Sequence, residues 1–424
     1  MNAVEQSVRS PKRTAENGPA ELVAPAPASR SIEARLVERL LSLLGNPPIE
    51  FLLWNGERVA GGNGEQVQQL RIRDRGTLFT LFKDSQVGFG DAYSDGRVTV
   101  EGDLVVFLET VYRSMPRGSA EQSLLRRFMN RRRGPRANTL EGSRENIHRH
   151  YDIGNPFYSL WLGRTMSYTC AYYPTPAATL DEAQVAKMHH VCRKLQLQRG
   201  QHVVEAGCGW GTLGLHMARH YGVKVRAFNI SHEQIMYARA RAQAEGLASQ
   251  VEYVEEDYRN ITGRYDAFVS VGMLEHVGRE NYPELGRVVR DALSAEGRGL
   301  IHSIGRNRPE PLHAWIERRI FPGAHAPSLG EMMQIFEPWD LSVIDVENIR
   351  LHYALTLRQW LARYESALDQ VRARFDEFFV RMWRLYLAGS IAAFETGTMQ
   401  LFQVLFTIQE NNQLPLTREF IYPR

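Results

Sequence analysis

Glu205-Ala-Gly-Cys-Gly-Trp-Gly211 carries the clearest chemical signal in this sequence. It ends an apolar run, Gln201 to Ala206, and precedes a run with helical spacing, Leu213 to Tyr221. Its glycines let a backbone turn tightly and approach a ligand closely. A dinucleotide turn expects G-x-G-x-x-G, whereas the spacing here is G-x-G-x-G with Glu205 just before it. A carboxylate there disfavours a pyrophosphate and suits a cationic cofactor with an amino group. S-adenosylmethionine has that chemistry, and Glu205, Gly207, Gly209, Trp210 and Gly211 are expected to hold it. Asn229-Ile-Ser-His-Glu-Gln234 follows the next strand, where ribose is usually bound, so Asn229, Ser231 and Gln234 join the set. Asp257, after the third strand, is placed to meet the adenine amino group. Each of these pieces alone is more often a cap or a turn. Their order along one βαβαβ unit favours the cofactor.

These turns need a frame. Strands are expected at 201–206, 224–230, 251–254, 267–271 and 299–303, with helices at 213–221, 232–245 and 282–293. That alternation predicts an α/β fold with a doubly wound parallel sheet. Residues 31–115 read as a small α+β domain. A helix follows Ser31, strands are expected at 49–54, 67–72, 77–82 and 98–100, and a last helix at 104–112. Phe89 to Gly96 reads as turn-rich. Residues 1–30 read as a disordered tail and 116–148 as a basic linker, leaving 149–424 for the larger domain. Residues 305–350, with Trp315, Arg318 and Phe321, read as a lid, a membrane-contacting surface or a plain helical cap. Residues 367–410 read as long helices carrying Trp383, Tyr386, Phe394, Phe402 and Phe406.

Composition narrows the function classes. The 424 residues are 43% hydrophobic and 23% charged, enough for two or three ordinary globular domains. A net charge of +3 excludes a polycation, so any basic function must be local. One such place is the cluster Arg126, Arg127, Arg131, Arg132, Arg133 and Arg136. It reads as a solvated linker or as a surface for anionic lipid headgroups, each cation there contributing about 1 kcal/mol. No nucleic-acid-reading motif accompanies it. Cys170, Cys192 and Cys208 form neither a disulfide framework nor a metal-type pair, which fits a reducing cytoplasm and no metal. Met1 to Arg30 lacks a secretory apolar core, and runs such as Leu385 to Phe394 are about half a bilayer span. The chain is not expected to cross a membrane, though it could rest on one.

Six ordered motifs resemble the cyclopropane fatty acid synthase family of S-adenosylmethionine-dependent methyltransferases. They are His150-Tyr-Asp-Ile-Gly-Asn-Pro-Phe-Tyr158, Thr165-Met-Ser-Tyr-Thr-Cys-Ala-Tyr-Tyr173, Gly207 to Gly211, Gly272-Met-Leu-Glu-His-Val-Gly278, Ile320-Phe-Pro-Gly323 with Pro327-Ser-Leu329, and His352-Tyr-Ala-Leu-Thr-Leu357. The resemblance implies a Rossmann-like class I methyltransferase sheet with helical additions. It implies methyl transfer to a cis double bond of a phospholipid acyl chain, then proton loss and closure of a cyclopropane ring. It further implies a bound bicarbonate as proton acceptor, held by the side chains of Glu275, His302 and Tyr353 and by backbone groups of Cys170 and Ile304. Tyr168 and Thr169 are expected on the cofactor. Partners follow in the same way: a peripheral contact with the inner membrane from the cytoplasm, no nucleic acid, and a homodimer left open. The segment Asp345 to His352 departs from the bacterial synthases, where it lines the acyl side. That departure leaves open a related enzyme that methylates without ring closure, or methylates an amine. A non-catalytic lipid-binding protein is a third reading, opposed by the intact motifs.

Overall fold

A computed structural model describes residues 30–62, 68–84, 87–116 and 153–422. The tail and the Arg126–Arg136 cluster therefore lie outside the described residues.

The first unit opens with helix α1 (Ile32–Leu43), whose N-cap Ser31 accepts from the Ala34 amide. Strands β1 (Ile49–Leu52), β2 (Arg58–Ala60), β3 (Gln68–Ile72) and β4 (Val98–Glu101) form a sheet in the order β2-β1-β3-β4. Helices α2 (Arg75–Lys83) and α3 (Gly88–Ser94) lie between β3 and β4, and α4 (Leu104–Ser114) follows. Two expectations fail here. Thr77 to Phe82 is helix, not strand, because Asp74 caps it by accepting from the Thr77 amide and hydroxyl. Phe89 to Ser94 is also helical, since its glycines and Ser94 allow tight burial: the Ser94 hydroxyl is satisfied by the Gly90 carbonyl.

The second unit begins with α5 (Asn155–Tyr158), a loop, and α6 (Leu180–Lys194), which starts in a capping box of Thr179 and Glu182. Then β5 (His202–Ala206), α7 (Thr212–Tyr221), β6 (Lys224–Asn229), α8 (His232–Ala244), β7 (Val251–Glu255), β8 (Tyr265–Val271), α9 (Tyr282–Ala292) and β9 (Leu293–Gly305) alternate. After α10 (Ala314–Arg319) and α11 (Leu329–Phe336) come β10 (Leu341–Asn348), α12 (Arg350–Ser366), α13 (Leu368–Arg372), α14 (Glu377–Glu395) and β11 (Gln400–Ile408).

Seven strands pair in the order β10-β11-β9-β8-β5-β6-β7. Strands β9, β8, β5, β6 and β7 run parallel, and β11 is antiparallel to both its neighbours. The expected parallel α/β sheet is present. The expectation of helix through 367–410 is corrected at its end: Phe402 and Phe406 lie on β11, wholly buried in the sheet. Successive residues serve opposite faces, so Val203 packs under α7 and α8 while Val204 packs under α9 and α11. A third cluster joins the first unit to α12 and α14. Among the described residues, no helix is long and apolar enough to cross a membrane.

Candidate active site

The glycine turn links the end of β5 to α7. Gly207, Gly209 and Gly211 have φ of +83°, +53° and +80°, and a Cβ on Gly211 would lie 2.6 Å from Ala238 and Tyr253. Only glycine fits there. Trp210 is buried on Tyr158 at 5.1 Å and donates from Nε1 to Asn155 Oδ1 at 2.6 Å. At the end of β6, Asn229 Nδ2 donates to Gln234 Oε1 at 2.8 Å and to the Gly209 carbonyl at 3.3 Å, while Asn229 Oδ1 accepts from the Ser231 amide. The predicted ribose group is thus tied to the glycine turn. Asp257 caps the turn after β7 through the Arg259 amide and pairs with the Arg259 guanidinium at 3.1 Å. Its observed role is that of a cap.

The Glu205 carboxyl is buried beside Gly214 of α7, and its Oε2 has no hydrogen-bond partner. Burial pushes it up to about 8, against the pull of Lys187 and of the Gly214 backbone amide.

Loop 165–173 is held from two sides. On one side stands α6. Its Gln184 Nε2 donates to the Thr169 carbonyl at 2.9 Å, its Lys187 Nζ donates to Thr169 Oγ1 at 2.9 Å, and its Ala183 carbonyl accepts from the Tyr172 amide. On the other side stands α12. Thr356 Oγ1 accepts from the Ala171 amide at 3.0 Å, and His352 Nδ1 accepts from the Tyr173 amide at 2.9 Å. Tyr168 meets Tyr386 of α14 hydroxyl to hydroxyl at 2.9 Å.

These grips reveal residues that motif reading missed. Gln184, Lys187, His190 and Lys194 are all buried on α6, at spacings of three, three and four. A polar stripe at helical spacing was the signal for them. Burial lowers Lys187 to about 8, opposed by Cys170 and Glu205. The lower half of the stripe serves β10: His190 Nε2 lies 2.6 Å and Lys194 Nζ 2.7 Å from Glu347 Oε2. Burial pushes Glu347 up, but His190 and Lys194 prevail and hold it at about 2. Lys194 is also 3.7 Å from Asp345. In the segment 345–352, Asp345 and Glu347 face Lys194 and His190, while Arg350 lines a cavity.

That cavity measures about 1900 Å³, and it gathers Tyr168, Thr169, Cys170, Glu275, His302, Ile304 and Tyr353 in its lining. Glu275 sits in a short turn after β8 and His302 near the end of β9, strands that pair side by side. Glu275 Oε1 accepts from the Ile304 amide at 2.6 Å, so that amide supports Glu275. Burial raises the Glu275 carboxyl to about 7, countered by its own and the Ile304 backbone amides. His302 is held at Nδ1 by Gln403 at 3.1 Å, and burial keeps its pKa far below the usual imidazole value. Glu275 Oε2 and His302 Nε2 are buried without a hydrogen-bond partner. Tyr353 reaches the cavity from α12, edge-on to Trp360 and tilted on Phe394. The Cys170 thiol donates to the Ala171 carbonyl, and burial pushes its pKa up, which suits no nucleophile. The cofactor turn adjoins this place: a Cβ on Gly272 would lie 2.8 Å from Thr169, and one on Gly207 2.7 Å from Met273.

A family model described as mycolic acid cyclopropane synthetase matches residues 138–404, more than half of the chain. The chain belongs to that family. A second model, of a domain of unknown function, matches residues 36–122. A probable fatty acid methyltransferase of Pseudomonas putida is 36% identical over 389 residues, covering 88% of this chain and 96% of its own. The cyclopropane-fatty-acyl-phospholipid synthase of Escherichia coli K12 is 33% identical over 362 residues, covering 84% and 92%. Among solved structures, the mycolic acid cyclopropane synthase CmaA1 complexed with SAH and CTAB superposes with a TM-score of 0.59 at 27% identity, covering 62% of this chain and 97% of that one. Family membership makes the chain an S-adenosylmethionine-dependent methyltransferase, with the class I sheet read from its motifs.

Proposed function

We propose that this enzyme transfers a methyl group from S-adenosylmethionine to the cis double bond of an unsaturated phospholipid acyl chain and closes a cyclopropane ring. One observation carries the reading: two buried, unpartnered polar atoms, Glu275 Oε2 and His302 Nε2, stand where a large cavity with much apolar lining meets the cofactor side. An alkene is a weak nucleophile and needs a strong electrophile in a dry place. Its π pair forms the new C–C bond as the C–S bond breaks, leaving S-adenosylhomocysteine and a carbocation. Loss of a proton from the transferred carbon supplies the pair that closes the ring. Aromatic faces of Tyr168, Tyr353 and Phe394 border the cavity and suit a transient cation.

The residues fit a bicarbonate. His302 stays neutral, and Glu275, raised to about 7, carries a proton for much of the time near neutral pH. Both can hydrogen-bond an oxyanion without adding a like charge. Glu275, His302, Tyr353 and the Cys170 backbone would hold it, with Ile304 acting through Glu275. A bound bicarbonate supplies the proton acceptor. Thr169, Trp210, Asn229, Ser231, Gln234 and the glycine turn take the cofactor in this reading, and the arginines at 126–136 bring the enzyme to an anionic bilayer.

Mass spectrometry of lipids from cells expressing the protein tests the proposal. Expected is a gain of one CH₂ on unsaturated chains with loss of the double bond. A gain that retains the double bond rejects ring closure, and no gain rejects the substrate.

A further inference from the structure

The cavity is larger than its reacting end requires. Its volume of about 1900 Å³ exceeds the roughly 300–1,000 Å³ typical of small-ligand sites. Glu275, His302 and Tyr353 line one part of it, and the first unit lines another. Ile49 and Phe51 of β1, Leu70 of β3, Leu81 of α2 and Leu108 of α4 line it there. All five are at most 9% exposed, so they are core residues of a small sheet. Unfilled apolar space weakens a small core, because its lining loses contacts on one side. This space is moreover continuous with the reacting end, so one molecule can occupy both.

We propose that the first unit is a berth for the acyl chain that does not react, so that a diacyl lipid is held by one chain there while its other chain presents a double bond at Glu275 and His302. The inference rests on the acyl-transfer reading above and adds a second chain site to it. The apolar wall favours a hydrocarbon chain. Continuity lets that chain be joined to the reacting one. A glycerol backbone joins two chains in this manner.

Leu81→Trp and Leu108→Trp put indoles into the space and test the berth. Vesicles of dioleoyl phosphatidylglycerol are compared with mono-oleoyl lysophosphatidylglycerol in detergent micelles. Turnover of the diacyl lipid is expected to fall about tenfold or more, and that of the monoacyl lipid to stay within about twofold. Equal losses on both lipids, or no loss on either, overturn the proposal. Thermal melts check folding, and Leu81→Phe, a smaller change, should give an intermediate loss. A measurement on the unaltered enzyme runs in parallel. Dioleoyl lipid carrying a diazirine in one chain should crosslink to peptides within residues 49–114; crosslinks confined to 272–305 and 385–401 overturn the berth. If the unaltered enzyme modifies neither lipid, the acyl-transfer reading itself falls and takes the berth with it.

Discussion

Burial decides what Glu275 can do. It holds one oxygen on the Ile304 amide and keeps the other without a partner, in surroundings that raise its carboxyl to about 7. Glu275→Gln keeps the shape and removes the ionisable group. Its turnover on unsaturated phospholipid vesicles is expected to drop on the order of a hundredfold; unchanged turnover would remove Glu275 from the site. The same shift has a stability consequence. Below the ordinary carboxylate range Glu275 is protonated in both folded and unfolded chains. As pH rises toward 7 the unfolded chain releases the proton first, so the folded state loses ground across that window. Melting temperatures should therefore fall less between pH 5 and 8 in Glu275→Gln than in the unaltered enzyme. Glu275, His302 and Tyr353 were reachable because each stands in a motif that resembles one family, and the structure gathers all three on one cavity. Lys187 and Gln184 were not, since their task is to hold Thr169, and a lysine in a helix usually signals solvent. Only the burial of the whole stripe gives them meaning.

Elements were legible where glycine turns and helix caps bound a short apolar run. Strands β5, β6 and β8 and helices α7 and α9 fell close to their expected bounds because the parallel sheet stamps its pattern on the chain. Strand β11 was not legible. It is buried on both faces, and an apolar run without a period reads equally as helix. In α2, Asp74 outweighed the strand-like content of Thr77 to Phe82. Helix α12 illustrates a constraint no period encodes. Thr356 is wholly buried, accepts the Ala171 amide and donates to the His352 carbonyl, so it fixes the Cys170 loop against the helix that bears Tyr353. Thr356→Val leaves that amide without an acceptor and should cost about 1–3 kcal/mol in urea denaturation, with Thr356→Ser close to the unaltered protein. Equal stability of the two variants would remove the tie.

At the scale of the molecule, polar contacts add to the apolar cluster that joins the first unit to the second. Trp315 Nε1 and the Arg319 guanidinium both donate to Asp91, and Arg381 lies over the Tyr93 ring at 4.4 Å while donating to the Tyr93 and Val98 carbonyls. Gly90 makes the approach possible, because a Cβ there would come within 2.4 Å of the Trp315 ring. Gly90→Val is expected to loosen the first unit, read as faster limited proteolysis within residues 30–116 and reduced turnover, with S-adenosylhomocysteine binding retained. Unaltered proteolysis would show that the approach tolerates a side chain. The proposed membrane contact belongs to this scale too. Replacing Arg131, Arg132 and Arg133 with serine should weaken sedimentation with anionic vesicles at low salt, and less so at high salt. Equal sedimentation would discharge that stretch from membrane contact.

The strand order holds one more consequence, for how the chain is made. Strand β11 is synthesised after both β9 and β10, yet it lies between them in the sheet. Until it emerges from the ribosome, β9, which carries His302, presents a bare edge, and β10 has no neighbour in the sheet. A nascent chain paused ahead of Gln400, or one clipped there by a protease, offers that edge to any other unfinished chain. Birth of the enzyme is thus a race between translation of β11 and pairing with the wrong partner.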